Sequence, residues 1–197
     1  MQRPGLLVID PQKIYTTSDS ELYCRDSKAT IERINQLIEH FEQQRLPIIL
    51  VRHIHKVDGS DLGRMFDYLG EPPDEFNFKA DSVEIEYDDR LRRPKRAEEI
   101  VKNRYSAFAG TSLETILKAK KISTIVICGF MTNFCCESTA RDAHDRDLFV
   151  DFILDATGTP GTDTIGEKEM RRIVGELLEA GFARVHKAKA FLKSWKA

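Results

Sequence analysis

No apolar run in this sequence approaches the ~20 residues a helix needs to cross a bilayer, so a membrane partner is not expected. A secretory leader is not expected either, because the chain passes within a few residues of Met1 into a strand-like run. Cysteine is sparse. Four without regular spacing in 197 residues do not make a disulfide framework, which points to a reducing compartment and a cytoplasmic protein. Nor is there a charge of one sign: 30 basic and 32 acidic side chains leave a formal net charge of −2, and no nucleic-acid partner follows from that balance. Internal repeats and low-complexity tracts are absent. These absences leave a single domain over residues 1–197, long enough to bury a sizeable core.

What is present is an alternation of short branched-apolar runs with amphipathic stretches. Leu6 to Ile9 reads as a strand closed by Asp10-Pro11, since proline cannot donate to a sheet ladder. Residues 11–25 read as loop. Ile31, Ile34, Leu37, Ile38 and Phe41 recur at spacings of three and four, which predicts a helix over about Ser27–Arg45 and then a strand at Ile48–Val51. Periodicity is lost from Lys56 to Arg96. That segment reads as a long loop or flap with a short strand at Val83–Tyr87 and a solvated basic cluster, Arg90, Arg92, Arg93, Lys95 and Arg96. Thr111 and Glu114 have capping-box spacing ahead of Leu113, Ile116 and Leu117. Further strands are expected at Ser123–Cys128, at Phe149–Leu154 with Asp155 at the carboxyl end, and at Ala183–His186. A helix bearing Met170, Ile173, Val174, Leu177 and Leu178 precedes the last of these, with Gly181 as its C′ residue. The alternation predicts the α/β class: a three-layer α/β/α sandwich on a doubly wound, mostly parallel sheet.

The chain is organised around Gly129 to Asp142. An apolar strand runs into a glycine-started turn and then a helix, with Cys135 and Cys136 at the junction. Helix starts offer unpaired N–H groups to a ligand, and their partial charge lowers a thiol pKa from roughly 8.5 towards neutrality. Asp10 and Lys102 also fall at or just beyond carboxyl strand ends, where parallel sheets place their ligand crevice. An acid, a cation and a thiol make a sensible set, the ammonium favouring the thiolate and the carboxylate moving the proton. Spacing alone does not single them out.

Three motifs add to this: Leu7-Val8-Ile9-Asp10-Pro11-Gln12, then Lys102 to Thr111 with Arg104-Tyr105-Ser106-Ala107-Phe108 inside it, then Gly129-Phe130-Met131-Thr132-Asn133-Phe134-Cys135. In that order the chain resembles the isochorismatase-like cysteine hydrolase superfamily, which includes nicotinamidases, N-carbamoylsarcosine amidases and ureidoacrylate amidohydrolases. The resemblance implies Cys135 as nucleophile, Asp10 as general acid and base, and Lys102 as the charge that tunes both. It implies a cis peptide between Phe130 and Met131, and an oxyanion hole from the N–H groups of Met131 and Cys135. A small-molecule substrate, a homo-oligomer and no cofactor are further expectations. Tyr15, His55, Phe108 and Phe134 are expected to line the substrate pocket.

One departure stands out. Nicotinamidases resembling this chain hold a metal with one aspartate and two histidines. Here His53 and His55 stand where an Asp-x-His pair would be, and no second histidine follows in the loop. No metal is therefore expected, and cleavage of an amide-type C–N bond through an acyl-thioester is the reaction implied. A non-amide substrate of the isochorismatase kind, a non-catalytic relative and a redox sensor at Cys135–Cys136 are the alternatives. The last is disfavoured because adjacent cysteines bridge only with strain.

Overall fold

The computed structural model describes residues 3–67 and 75–195. Strands β1 (Pro4–Ile9), β2 (Ile48–His53), β3 (Glu98–Lys102), β4 (Thr124–Phe130), β5 (Phe149–Gly158) and β6 (Arg184–His186) form one sheet, ordered β3-β2-β1-β4-β5-β6. Every pairing in it is parallel. The helices are α1 (Lys13–Thr16), α2 (Ser27–Gln43), α3 (Leu113–Ala119), α4 (Glu137–His144), α5 (Glu167–Glu179) and α6 (Ala188–Ser194).

The central strands β1 and β4 are buried at every position and almost wholly apolar, because both faces are covered. Leu6 and Val8 of β1 pack into one cluster with Ile31, Ile34, Leu37 and Phe41 of α2 and Phe191 of α6. Their neighbours Leu7 and Ile9 point the other way, into a second cluster with Leu113 of α3, Ala140 of α4 and Val174 and Leu178 of α5. β2 divides likewise, Leu50 to one side and Ile49 and Val51 to the other. The three layers expected from the alternation follow from that period of two.

The order reverses at β1 and β4, which pair with each other although two strands separate them in sequence. At such a switch the connections leave in opposite directions and open a crevice at the carboxyl ends. Gly129 allows the two strands to meet there. It has φ +123°, and a Cβ would lie 1.9 Å from the Ile9 carbonyl oxygen, so no side chain fits.

Several expectations are corrected. Residues 11–25 include the short helix α1. Val83–Tyr87 is not a strand. Val83–Ile85 forms a 3₁₀ turn, capped by the Ser82 hydroxyl accepting from the Glu84 N–H at 3.1 Å. The 56–96 segment is less a flap than expected, since Phe78, Ile85, Tyr87 and Leu91 are buried in the core; Pro72 and Pro73 lie outside the described residues. The capping box is half made. Thr111 Oγ1 accepts from the Leu113 N–H at 3.2 Å, but Glu114 turns outward to Lys118 and Arg146. Strand β5 continues past Asp155 to Gly158, and the Asp155 carboxylate accepts from the Ala188 N–H at the start of α6. Gly181 follows α5 without a left-handed φ, and the Leu178 carbonyl accepts from the Gly181, Phe182 and Ala183 N–H groups.

Candidate active site

Asp10 leaves β1 with φ +47°, a conformation Asp tolerates better than most residues. Lys102 is the last residue of β3, two strands away, and its side chain reaches across the end of β2. Its Nζ lies 2.8 Å from Asp10 Oδ2, 3.2 Å from Cys135 Sγ and 3.0 Å from the Arg104 carbonyl oxygen. The three donors of the ammonium are thereby used. Asp10, Lys102 and Cys135 are each no more than 2 % exposed. The structure brings together the three residues that the sequence motifs single out.

Cys135 sits in a π-helical turn, Thr132–Cys136, that precedes α4; the sequence reading started the helix directly. Such turns are frequent at functional positions. The Phe130–Met131 peptide ahead of it is cis. Thr139, one turn into α4, donates to the Cys135 carbonyl at 2.6 Å and accepts from the Ala107 N–H at 3.0 Å, tying the cysteine turn to the loop after Lys102. On the far side, Thr132 bonds Thr157 at 2.8 Å and Thr159 donates to Asn133 Oδ1 at 2.7 Å, fastening the turn to β5 and the loop beyond it.

Electrostatics correct one expectation. Burial pushes the Cys135 thiol up to about 12, and the Lys102 ammonium only partly offsets it. The predicted fall towards neutrality assumed an exposed helix start, whereas this sulfur is 2 % exposed. Burial also raises Asp10, against the pull of Lys102, so its carboxylate takes a proton more readily than an ordinary one. Burial works against the Lys102 charge, but the Asp10 carboxylate and the Cys135 sulfur outweigh it and hold the ammonium above its usual range. The ground state is a thiol beside an Asp–Lys ion pair, with a raised carboxylate ready for the thiol proton.

The expected pocket residues divide. Phe134 lies beside Cys135 in the turn, 38 % exposed, its ring 5.2 Å from that of Tyr105. Tyr15 is buried and stacks on Phe130 at 5.4 Å. Phe108 is buried beneath the Arg146 guanidinium, 4.9 Å above its ring. His55 is fully buried and contacts His53, with Phe66 and Phe76 around it. Two residues near the site had not been singled out. Burial and the nearby Cys135 raise the Tyr105 phenol, three residues after Lys102 in the same motif. Asp61, in the segment without periodicity, touches His55 Nδ1 at 3.4 Å. Gln12 acts as a clasp, accepting from the His53 N–H at 2.8 Å while donating to the His53 and Ile85 carbonyls at 3.0 and 2.9 Å.

One oxygen of Asp10, one nitrogen of His53 and the sulfur of Cys135 lie within 4.8 Å of one another, a separation a metal ion would bridge. The charges do not fit one. Lys102 already holds Asp10 and Cys135, and a dication would have to displace a buried ammonium from both.

The isochorismatase domain, as a family sequence model, matches residues 4–186. The chain is 29 % identical over 155 residues to nicotinamidase 3 of Arabidopsis thaliana, covering 79 % of this chain and 73 % of that protein. It is 27 % identical over 143 residues to an N-carbamoylsarcosine amidase of Arthrobacter sp, covering 72 % of this chain and 54 % of that one. A shorter match, 42 % over 72 residues, links it to the ureidoacrylate amidohydrolase of Methylorubrum extorquens and spans 36 % of this chain and 29 % of the relative. Among solved structures, a cysteine hydrolase from Pseudomonas syringae pv. phaseolicola superposes with a TM-score of 0.87 at 27 % identity, over 97 % of this chain and 91 % of that one. A match to the family's domain over nearly the whole chain, with that fold and that buried acid–lysine–thiol set behind it, places the protein: it belongs to the isochorismatase family of hydrolases.

Proposed function

We propose that this protein hydrolyses an amide-type C–N bond of a small molecule through an acyl-thioester on Cys135. The observation that carries this reading is the reach of one buried ammonium, Lys102 Nζ, to both Asp10 Oδ2 at 2.8 Å and Cys135 Sγ at 3.2 Å. The amidase names of the similar proteins support it from outside the site.

The steps follow from the charges. Asp10 takes the thiol proton as the sulfur attacks the carbonyl carbon, and Lys102 stabilises the thiolate while it exists. The oxyanion is held by the backbone N–H groups of Met131 and Cys135. Collapse breaks the C–N bond, and Asp10 returns its proton to the departing nitrogen. Water then attacks the thioester carbon, Asp10 accepts its proton, and the C–S electron pair stays with sulfur.

The test is ammonia or amine release from a panel of ureido, carbamoyl and nicotinamide-like amides, read by mass spectrometry. Turnover of at least one class is expected, with an acyl adduct on Cys135 in intact-mass spectra and no activity in Cys135→Ala. Turnover that survives Cys135→Ala would overturn the thioester route.

A further inference from the structure

His53 and His55 carry no role in the chemistry described so far, yet their arrangement is ordered in one direction. His53, at the end of β2, is 1 % exposed and stacks flat on Phe78, ring centroids 4.2 Å apart at 10°. Its Nε2 lies 3.0 Å from His55 Nε2. On the other side of the second ring, His55 Nδ1 meets Asp61 Oδ1 at 3.4 Å, a long contact. Asp61 is itself held in place: Asn103 donates to its other oxygen at 3.1 Å, and the Lys56 N–H donates to Oδ1 at 3.0 Å. Four buried atoms on the two histidines and Asp10 make no hydrogen bond of good geometry: both Asp10 oxygens, of which Oδ2 keeps its ion pair with Lys102, and the Nδ1 atoms of His53 and His55.

The protons can be assigned along this line. Asp61 is a carboxylate, kept below the usual range because its hydrogen bonds from Asn103 and Lys56 and the nearby His55 outweigh the effect of burial. No hydrogen bond closes between them, but a carboxylate 3.4 Å away attracts an N–H and repels a lone pair, which favours the hydrogen on His55 Nδ1 and leaves His55 Nε2 as the lone pair. His53 Nε2 must then donate to it. That leaves His53 Nδ1 as an acceptor, buried and unpaired. Burial first, and the Lys102 charge after it, hold the His53 ring neutral.

We propose that Asp61, acting through His55, fixes the tautomer of His53 so that His53 Nδ1 accepts a hydrogen bond from the water that hydrolyses the Cys135 thioester. The inference rests on the thioester reading above. A His53 nitrogen lies within 4.8 Å of both an Asp10 oxygen and Cys135 Sγ, a gap that one water molecule spans. One O–H of that water points to Asp10 and the other to His53, which aims the oxygen lone pair at the acyl carbon. As the O–C bond forms, Asp10 takes the proton and the C–S pair returns to sulfur, so His53 gains and loses none. Asp61 and His55 are positioning residues in this scheme. An aspartate that sets an imidazole tautomer is an established device in hydrolases; here it works through a second ring.

Two measurements on the full chain test it. In ¹⁵N-histidine spectra at neutral pH, His53 is expected as the Nε2–H tautomer and His55 as the Nδ1–H tautomer, with that order lost in Asp61→Asn. Inverted tautomers, or loss of the His53 Nε2–H signal on adding one equivalent of zinc, overturn the proposal. The second measurement uses p-nitrophenyl acetate as acyl donor and follows the acetyl adduct on Cys135 by intact mass. Acetylation is expected to be unchanged in Asp61→Asn, with decay of the adduct slowed about tenfold or more, within the range of acid–base effects. His53→Asn, whose side-chain oxygen can take the place of Nδ1, should retain faster decay than His53→Phe. Normal decay in Asp61→Asn and His53→Phe overturns the relay alone. Failure of Cys135 to take the acetyl group overturns the thioester reading beneath it, a distinct result.

Discussion

Two buried aspartates, Asp10 after β1 and Asp151 in β5, show how differently a fold can treat one side chain. Asp151 is 5 % exposed and fully satisfied: Arg184 grips both its oxygens at 2.8 Å, and His186 Nε2 lies 2.8 Å from Oδ1. The three residues lie on β5 and the edge strand β6, so the contact fastens the edge to the sheet. Asp10 is 0 % exposed, with a single cation beside it and Oδ1 left without a partner. Burying an unpaired carboxylate oxygen costs stability, and a fold tolerates it where that atom has other work. Satisfaction, rather than burial or charge, separates the carboxylate that fastens the sheet edge from the one we propose for chemistry.

The sharpest way to break that comparison is Asp10→Asn. Asparagine accepts a positive φ as well as aspartate does, so the variant is expected to fold. Its turnover on any amide found in the screen should fall by about 10²–10⁴-fold, the contribution of a positioned acid–base group. Because the Asp10 charge helps to raise the Cys135 thiol, its loss should lower that pKa and speed alkylation by iodoacetamide. Slower turnover with faster alkylation is a combination that mere damage to the site does not produce. Near-normal turnover would make Asp10 only the residue that starts a turn before Pro11.

A smaller effect is expected at the lysine. Alkylation of wild-type Cys135 should rise about tenfold per pH unit below a midpoint of about 12, since the thiolate is the reactive form. Lys102 lowers that midpoint, so Lys102→Met should move the profile to higher pH and slow labelling at any fixed pH below it. An unchanged profile would show that the ammonium serves Asp10 alone.

The smallest expected effect sharpens the comparison from the other side. Asp151→Asn should leave turnover unchanged and reduce stability by about 1–3 kcal/mol, towards the low end because Arg184 is half-exposed. Calorimetry should record this as a melting temperature lower by a few degrees. Lost turnover in a folded Asp151→Asn protein would mean that the two carboxylates are not separable.

Much of this was legible in the residues. β1 and β4 could be read because strands covered on both faces are near-continuous apolar runs, and α2 because its apolar residues recur every three or four. The π-helical turn at Cys135 was not legible, since it differs from the start of an α-helix only in where backbone hydrogen bonds close. Val83–Tyr87 misled because a β-branched run packs equally well as a 3₁₀ turn once Ser82 caps it. Asp61 carried no signal in its own segment. Its significance lies in facing a histidine six positions earlier across a loop.

By itself, the sequence determined which residue types stand at the ends of the strands: an aspartate before a proline, a lysine ahead of an aromatic loop, a cysteine six residues beyond a glycine. Those are local facts, set by backbone sterics and periodicity. Tertiary structure alone decided that β3 lies two strands from β1, so that Lys102 must stretch over β2 to reach Asp10 and Cys135. It also decided the sign of the thiol shift. A helix start favours the thiolate, but how much water is excluded around Sγ depends on every segment packed over it, and burial proved the larger effect.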